Sequence, residues 1–237
     1  MVDVLTLKLR RFGTMTQADE ALLAGLGTRS IVPKGADMVR QGDRPKHSTL
    51  LLSGLAARYN LTAKGARQMT SLHIEGDFVD LHSLFLKPMD HGILALTECE
   101  IASVSHADLE SVMNQSWQLT RLMWLSTLVD AAIHRAWLVR MGRLHAKPSL
   151  AHLICELLMR YRAIGRAEDQ RFNLSVVQSE LADILGISTV HVNRSLQDLR
   201  ADKLVQWENG VVTVLDWDRL RRMAEFDPAY LRPDPIG

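Results

Sequence analysis

The sequence has very little cysteine and no long apolar run. Cys99 and Cys155 are its only two cysteines in 237 residues. Two thiols cannot supply a four-cysteine zinc or iron–sulfur site within one chain, and we interpret them as buried thiols in a reducing compartment. The N-terminal segment contains no apolar stretch long enough for a signal peptide or a membrane span. We therefore expect a cytoplasmic protein that has no membrane partner.

Excess charge is also missing, because the formal net charge is only +1. The chain as a whole lacks the strong positive charge that would indicate a nucleic-acid partner, so any basic patch must be local. Hydrophobic residues make up 47% of the chain and charged residues 23%, which is typical of a globular protein. The length allows one large domain or two modest ones.

The segment 175–200 predicts two short helices joined by a tight turn. Ser175 and Gln178 have the spacing of a capping box for the first helix. Gly186 lies where the chain must leave that helix in a left-handed conformation, which glycine adopts without strain. Ser188 can cap the second helix, whose inner side would carry Val192, Leu196 and Leu199. This is the helix-turn-helix pattern of DNA-binding proteins, and an ordinary helical hairpin is the alternative.

The next segment favours DNA binding over a plain hairpin. Residues 204–214 read as two short strands around Asn209-Gly210, and Asn-Gly is the strongest two-residue signal for a β-hairpin. A hairpin directly after a recognition helix is a wing.

The first half of the chain is rich in short β segments separated by glycine. Strands are predicted at 49–52, 56–61, 67–73, 93–96 and 100–105, with a short helix at 80–86. The regular turn spacing is typical of a compact antiparallel barrel or jelly roll. We assign residues 1–115 to this β-roll domain.

A long helix follows, because residues 117–141 contain neither glycine nor proline and would span about 38 Å. We assign residues 116–142 to a dimerisation helix, since a heptad seam is formed by Leu122, Leu125, Val129, Ala132, Ala136 and Val139. The alternative is one amphipathic helix lying along the β domain, and Trp124, Leu128 and Trp137 lie off the seam and could face that domain.

Beyond the long helix, Gly142 and Pro148 predict a break in helical structure. Lys147 would begin a linker into a helix at 149–164, and the domain 147–237 would contain the helix-turn-helix. The tail after Asp227 is rich in proline, and we expect it to be loose.

The order of a glycine-spaced β-roll, a long helix and a C-terminal winged helix-turn-helix resembles the Crp/Fnr (cyclic-AMP receptor/fumarate–nitrate regulator) family of bacterial transcription factors. The resemblance extends from about residue 10 to 225 and is strongest at 39–43, 50–54, 76–78 and 181–200. It implies an α+β fold with a cyclic-nucleotide-binding-like β-roll (jelly roll). It also implies a homodimeric, sequence-specific regulator that binds a pseudo-palindromic site on double-stranded DNA and contacts RNA polymerase. Such a protein is not an enzyme.

The resemblance also assigns roles on the recognition helix. Thr189, Val190, Asn193 and Arg194 would face bases, and Ser188, His191 and Gln197 would contact phosphates. Relatives usually have glutamate at the position of Val190, and valine would prefer a thymine methyl group. Arg194 can fork onto guanine, or it can form an ion pair with Asp198 one turn later.

An effector pocket inside the β-roll would include Gly76, Asp77, Phe78, Lys87 and His91. Members that bind cyclic AMP have Gly-Glu before the short pocket helix and Arg-Ser after it. This chain keeps Gly76-Asp77 but lacks Arg-Ser, and Asp90 would repel a phosphate. Without the guanidinium clamp we do not expect cyclic-nucleotide binding.

Two cofactor types of the family are also not expected. Oxygen-sensing members carry an N-terminal cysteine cluster, and residues 1–30 contain no cysteine, which excludes that iron–sulfur mechanism. One of four histidines could be an axial haem ligand, but histidines on loops and strand ends are more often surface or core residues: His73, His82, His91 and His106. We therefore predict no haem.

A jelly-roll metal enzyme is the remaining chemical alternative in the β-roll. Its donor set would have to extend beyond the pair His73 and Glu75, so we predict no metal and no catalytic site. The alternative function is a sensor of a cyclic nucleotide, small molecule or haem whose C-terminal helices contact protein rather than DNA.

Overall fold

The computed structural model describes residues 3–231. They form two compact units, one of residues 3–60 and 71–131 and the other of residues 61–70 and 132–231. Within the described residues, no helix combines the length and apolar character needed to cross a membrane.

Two helices begin the chain, α1 (Asp3–Arg10) and α2 (Gln17–Leu23). Thr16 caps α2: its hydroxyl accepts from the Asp19 N–H at 3.1 Å, and the Asp19 carboxylate accepts from the Thr16 N–H at 2.8 Å. This reciprocal pair satisfies backbone donors that have no partner within the helix. Helix α1 was not predicted.

The β-roll is confirmed. Its strands are β1 (Thr28–Val32), β2 (Asp37–Val39), β3 (His47–Ser53), β4 (Ala56–Leu61), β5 (Arg67–His73), β6 (Gly92–Ala95) and β7 (Cys99–Ser105). One sheet has the order β1-β7-β3 and the other β2-β6-β4-β5. The predicted strands are present, and the predicted short helix is the 3-10 helix Leu81–Leu84. Gly54 makes the turn between β3 and β4, with φ +96° and no room for a side chain, because a Cβ would lie 2.5 Å from the Glu98 carbonyl oxygen.

Helices α3 (His106–Gln115) and α4 (Trp117–Arg143) follow the β-roll, and this part of the structure corrects the predicted seam. Leu122 is fully buried in the chain's own core, and Leu125 and Val129 pack partly against that core. Trp124 and Leu128 are instead 62% and 51% exposed. The seam prediction is therefore wrong for Leu122, since this apolar side of the helix covers the β-roll of the same chain.

The rest of the seam lies in the second unit, where Ala132 and Ala136 are half-buried and Val139 is exposed. Trp137, placed off the seam, is 1% exposed. Its indole N–H donates to Glu156 Oε2 at 2.9 Å.

Helix α5 (Ala146–Ala163) begins earlier than predicted. Pro148 does not break it, because proline in a first helical turn lacks only an N–H that would have no intrahelical partner. The expected linker at Lys147 is therefore helical. Part of the predicted loose tail is also ordered as the 3-10 helix Pro228–Leu231; residues 232–237 lie outside the described part.

The second unit then contains β8 (Arg171–Asn173), α6 (Gln178–Leu185), α7 (Thr189–Ala201), β9 (Val205–Glu208), β10 (Val211–Val214) and α8 (Trp217–Met223). The three strands form an antiparallel sheet in the order β8-β10-β9. Helix α7 packs on α5 and α6, which is the predicted winged helix-turn-helix.

Candidate functional site

Helix α6 starts differently from the prediction. Its first residue is Gln178, and the backbone is still extended at Val177. The Val177 N–H donates to the Glu180 carboxylate at 2.8 Å. The predicted Ser175–Gln178 capping box is wrong, because the helix begins at Gln178 itself and the acid two residues later does the capping.

The turn and the start of α7 agree with the sequence. Gly186 ends α6 at φ +68°, the left-handed conformation. Ser188 is the N-cap of α7, and its hydroxyl lies 3.4 Å from the His191 backbone nitrogen, from which it accepts, and 3.0 Å from the same residue's Nδ1.

Helix α7 has one buried and one exposed face. The buried face carries Val192, Ser195, Leu196 and Leu199. Asn193 is half-buried, and the other predicted DNA-contacting side chains are exposed: Ser188, Thr189, Val190, His191, Arg194 and Gln197. Val190 is 73% exposed.

Arg194 is not paired within the part of the chain that the structure describes. The ion pair with Asp198, considered as an alternative, is not formed there. The guanidinium is therefore available for a forked contact with a guanine edge or a phosphate.

The wing is joined by the predicted turn. Asn209 and Gly210 have φ values of +50° and +76°, as a two-residue type I′ hairpin requires. The Arg200 guanidinium donates to the Trp207 carbonyl oxygen, which connects the last turn of α7 to the wing.

The predicted effector residues in the first unit each have contacts of their own. Gly76 has φ +86°, and Phe78 packs partly against the core. Asp77 accepts from Lys8 Nζ at 2.5 Å and from the Ile74 N–H at 3.0 Å. Its carboxylate is thus used by α1 and its own turn. Lys87 lies beside a histidine outside the predicted set, with its Nζ 3.3 Å from His106 Nδ1.

His91 contacts Asp90 and His82. Its Nδ1 lies 2.7 Å from Asp90 Oδ1, and its ring centroid is 5.0 Å from that of His82. Burial, together with the charge of Arg58, lowers the pKa of both imidazoles to about 4. Burial would raise the pKa of Asp90, but His91 holds it below its usual value.

Sequence reasoning missed Arg58. Its side chain is buried, and its guanidinium donates to Asp130 Oδ2 at 3.1 Å. An arginine inside the short apolar strand β4 was the available signal, because an unpaired charge is rarely buried. Nearby, Asp80 accepts from the Thr49 N–H at 2.5 Å, and burial raises its pKa to about 7.

Comparisons with known proteins cover both units. Residues 29–116 match the cyclic nucleotide-binding domain, and residues 149–223 match the Crp-like helix-turn-helix domain. A probable transcriptional activator of Rhizobium leguminosarum is 24% identical over 82% of this chain and 80% of its own. The fumarate and nitrate reduction regulatory protein of Escherichia coli is 23% identical over 81% of this chain and 77% of its own.

Among solved structures, FixK2 from Bradyrhizobium japonicum superposes with a TM-score of 0.72 at 19% identity. The match covers 84% of this chain and 97% of FixK2. At this identity the likeness establishes the fold.

Proposed function

We propose that this chain binds a pseudo-palindromic promoter site as a homodimer through the outer face of α7. The chain belongs to the Crp/Fnr family of bacterial transcription regulators and carries its helix-turn-helix DNA-binding domain. The observation that supports the proposal most is Arg194, exposed and unpaired among the described residues, on the same face as Thr189 and Val190. A recognition helix presents such side chains to the major groove, with a wing beside it.

Each exposed side chain has a chemical role in this proposal. Arg194 reads a guanine through O6 and N7, and Val190 contacts a thymine methyl group, whereas glutamate there would accept from cytosine N4. Asn193 is half-buried, and its amide pairs with an adenine in the major groove. Contacts to phosphates set the register of the protein on the duplex and come from Ser188, His191 and Gln197.

The dimer interface in this proposal is not the seam read from the sequence. Trp124 and Leu128 are exposed one helical turn apart on α4, where a second copy of the chain would cover them. We expect Leu128→Glu to give monomers by light scattering, because a buried carboxylate would oppose association. Leu215→Glu is the matched control, since Leu215 is equally exposed at 51%. A dimer that survives Leu128→Glu would contradict this interface.

The remaining assignments follow from the proposed role as a regulator of transcription. It acts at the chromosome in the cytoplasm and contacts RNA polymerase, and we expect it to have no enzymatic activity. Cyclic nucleotide, iron–sulfur cluster and haem are not expected as cofactors. The engagement of Asp77 with Lys8 supports this for the nucleotide, since that acid would otherwise contact the ribose.

Selection of bound duplexes from a random pool tests the proposal. Wild-type protein should enrich a symmetric motif with half-sites about one helical turn apart, and Arg194→Ala should lose the enrichment. Arg222→Ala, which removes an exposed arginine from α8, should keep it. Failure of the wild-type protein to enrich any motif would contradict the proposed function.

A further inference from the structure

Two histidines and an aspartate come together within the first unit, one from the 3-10 helix Leu81–Leu84 and two from the residues just before β6. One donor atom from each of His82, Asp90 and His91 lies within 4.8 Å of the other two. The two imidazole planes are inclined by 41°. His91 is 4% exposed, while 86% of the Asp90 side chain is exposed, so the group runs from the interior to the surface.

The hydrogen bond between His91 and Asp90 fixes which ring nitrogen carries the proton. A carboxylate accepts, so Nδ1 of His91 carries the hydrogen and Nε2 presents a lone pair. Within residues 3–231, the buried Nε2 atoms of His82 and His91 have no hydrogen-bond partner. Most buried nitrogens are hydrogen-bonded, and one without a partner is unfavourable by about 1–3 kcal/mol. These two rings therefore have unused binding capacity.

The charges around the cluster have both signs. Arg58 is the nearby positive group and disfavours added positive charge at the two rings, and its ion pair with Asp130 at 3.1 Å reduces that effect. Asp90 adds one negative charge, and the buried His73 ring has a lowered pKa because of its burial. The cluster is thus slightly negative before any ion binds.

We propose that His82 and His91 bind a divalent transition metal ion through their Nε2 atoms, while Asp90 accepts from His91 Nδ1 and holds that ring in the required tautomer. This donor set suits zinc or ferrous iron, whereas calcium and magnesium prefer oxygen ligands alone. Two protein ligands leave the other positions for water or another small ligand. The site goes beyond DNA binding and does not depend on it.

Titration of chelator-treated full-length protein with zinc, followed by calorimetry, tests the site. We expect one ion per chain. His82→Ala and His91→Ala should each weaken binding by about 100-fold or more, because removal of an outer-shell partner alone is typically worth 10- to 100-fold. His47→Ala is the matched control in the same unit, since His47 is exposed, and it should leave binding unchanged. Zinc affinity that is equal in all four proteins would contradict the proposal.

Wild-type protein provides a second readout that does not require a variant to fold. In imidazole nitrogen NMR spectra, zinc should shift the signals of His82 and His91 and leave the exposed His47 unshifted. Cobalt in place of zinc should give the visible absorption of a site with nitrogen and oxygen ligands. Zinc-induced shifts confined to surface histidines, or no shifts at all, would overturn the assignment.

Discussion

The outer face of α7 and the buried ion pair between Arg58 and Asp130 use charged side chains in opposite ways. On α7, Arg194 is exposed and has no partner among the described residues. In the β-roll, Arg58 is buried and bound to Asp130. An exposed charged group is hydrated, and a ligand can replace that water at little cost in free energy. A buried charged group instead needs its partner, so loss of the partner lowers the stability of the fold. Substitutions on the outer face of α7 should change DNA binding, and substitutions in the buried ion pair should change the free energy of unfolding.

The largest expected effect is the loss of stability in acid. His82, His91 and His152 have pKa values lowered to about 4, mainly by burial. Their folded-state pKa lies below the unfolded value of about 6.5, so the stabilisation is complete above that value and is lost as the pH falls toward 4. The pKa of Asp80 is instead raised to about 7, so proton uptake by Asp80 stabilises the folded state as the pH falls. This opposes the effect of the histidines but involves one group against three.

Urea unfolding at pH 7 and pH 5 should therefore give a lower free energy of unfolding at pH 5. The double variant His82→Gln/His91→Gln should show a smaller difference between the two pH values. An equal difference in wild type and variant would show that these rings do not take up protons on unfolding.

The second prediction concerns the buried ion pair. Asp130→Asn leaves Arg58 buried without its carboxylate and should lower the free energy of unfolding by about 2–3 kcal/mol. This is below the 3–5 kcal/mol of a fully buried pair, because 31% of the Asp130 side chain is exposed. Asp198→Asn on the exposed face of α7 should change it by less than about 0.5 kcal/mol. Urea denaturation measures both, and equal losses would erase the contrast between the two regions.

The third prediction concerns Val190 on the outer face of α7. Val190→Glu should shift the preferred base from thymine toward cytosine, with a discrimination of about 1–3 kcal/mol. The free energy of unfolding should stay within about 0.5 kcal/mol of the wild type, because Val190 is 73% exposed. Competition binding with duplexes that differ at one base pair measures the shift, and an unchanged preference would mean that residue 190 does not face a base.

The smallest effect is expected at the cap of α6. Glu180→Ala removes the acceptor of the Val177 N–H and should destabilise the protein by about 1 kcal/mol. Ser175→Ala serves as the control, since the sequence placed the cap there and the structure does not. A larger loss for Ser175→Ala than for Glu180→Ala would restore the sequence-based assignment.

Most of the fold and the exposed face of α7 could be predicted from sequence, because the responsible signals are local. Gly186 and Asn209-Gly210 fix turns through the conformations they allow, and α7 separates its faces by helical periodicity. Leu122 shows the limit: an apolar stripe predicts that a face is buried but does not say against which chain. Arg58 and Asp130 are 72 residues apart, so their contact depends on the tertiary fold.

Specific DNA recognition by α7 is tested most directly by the affinity of the selected duplex relative to a scrambled one, measured by fluorescence anisotropy at several salt concentrations. Wild-type protein should prefer the selected duplex, and its affinity should fall steeply as salt rises. Arg194→Lys keeps the charge but loses the guanidinium fork, so it should retain binding to both duplexes and lose about 1–3 kcal/mol of the preference. A preference that survives in both Arg194→Lys and Arg194→Ala would contradict the reading of bases by this face of α7.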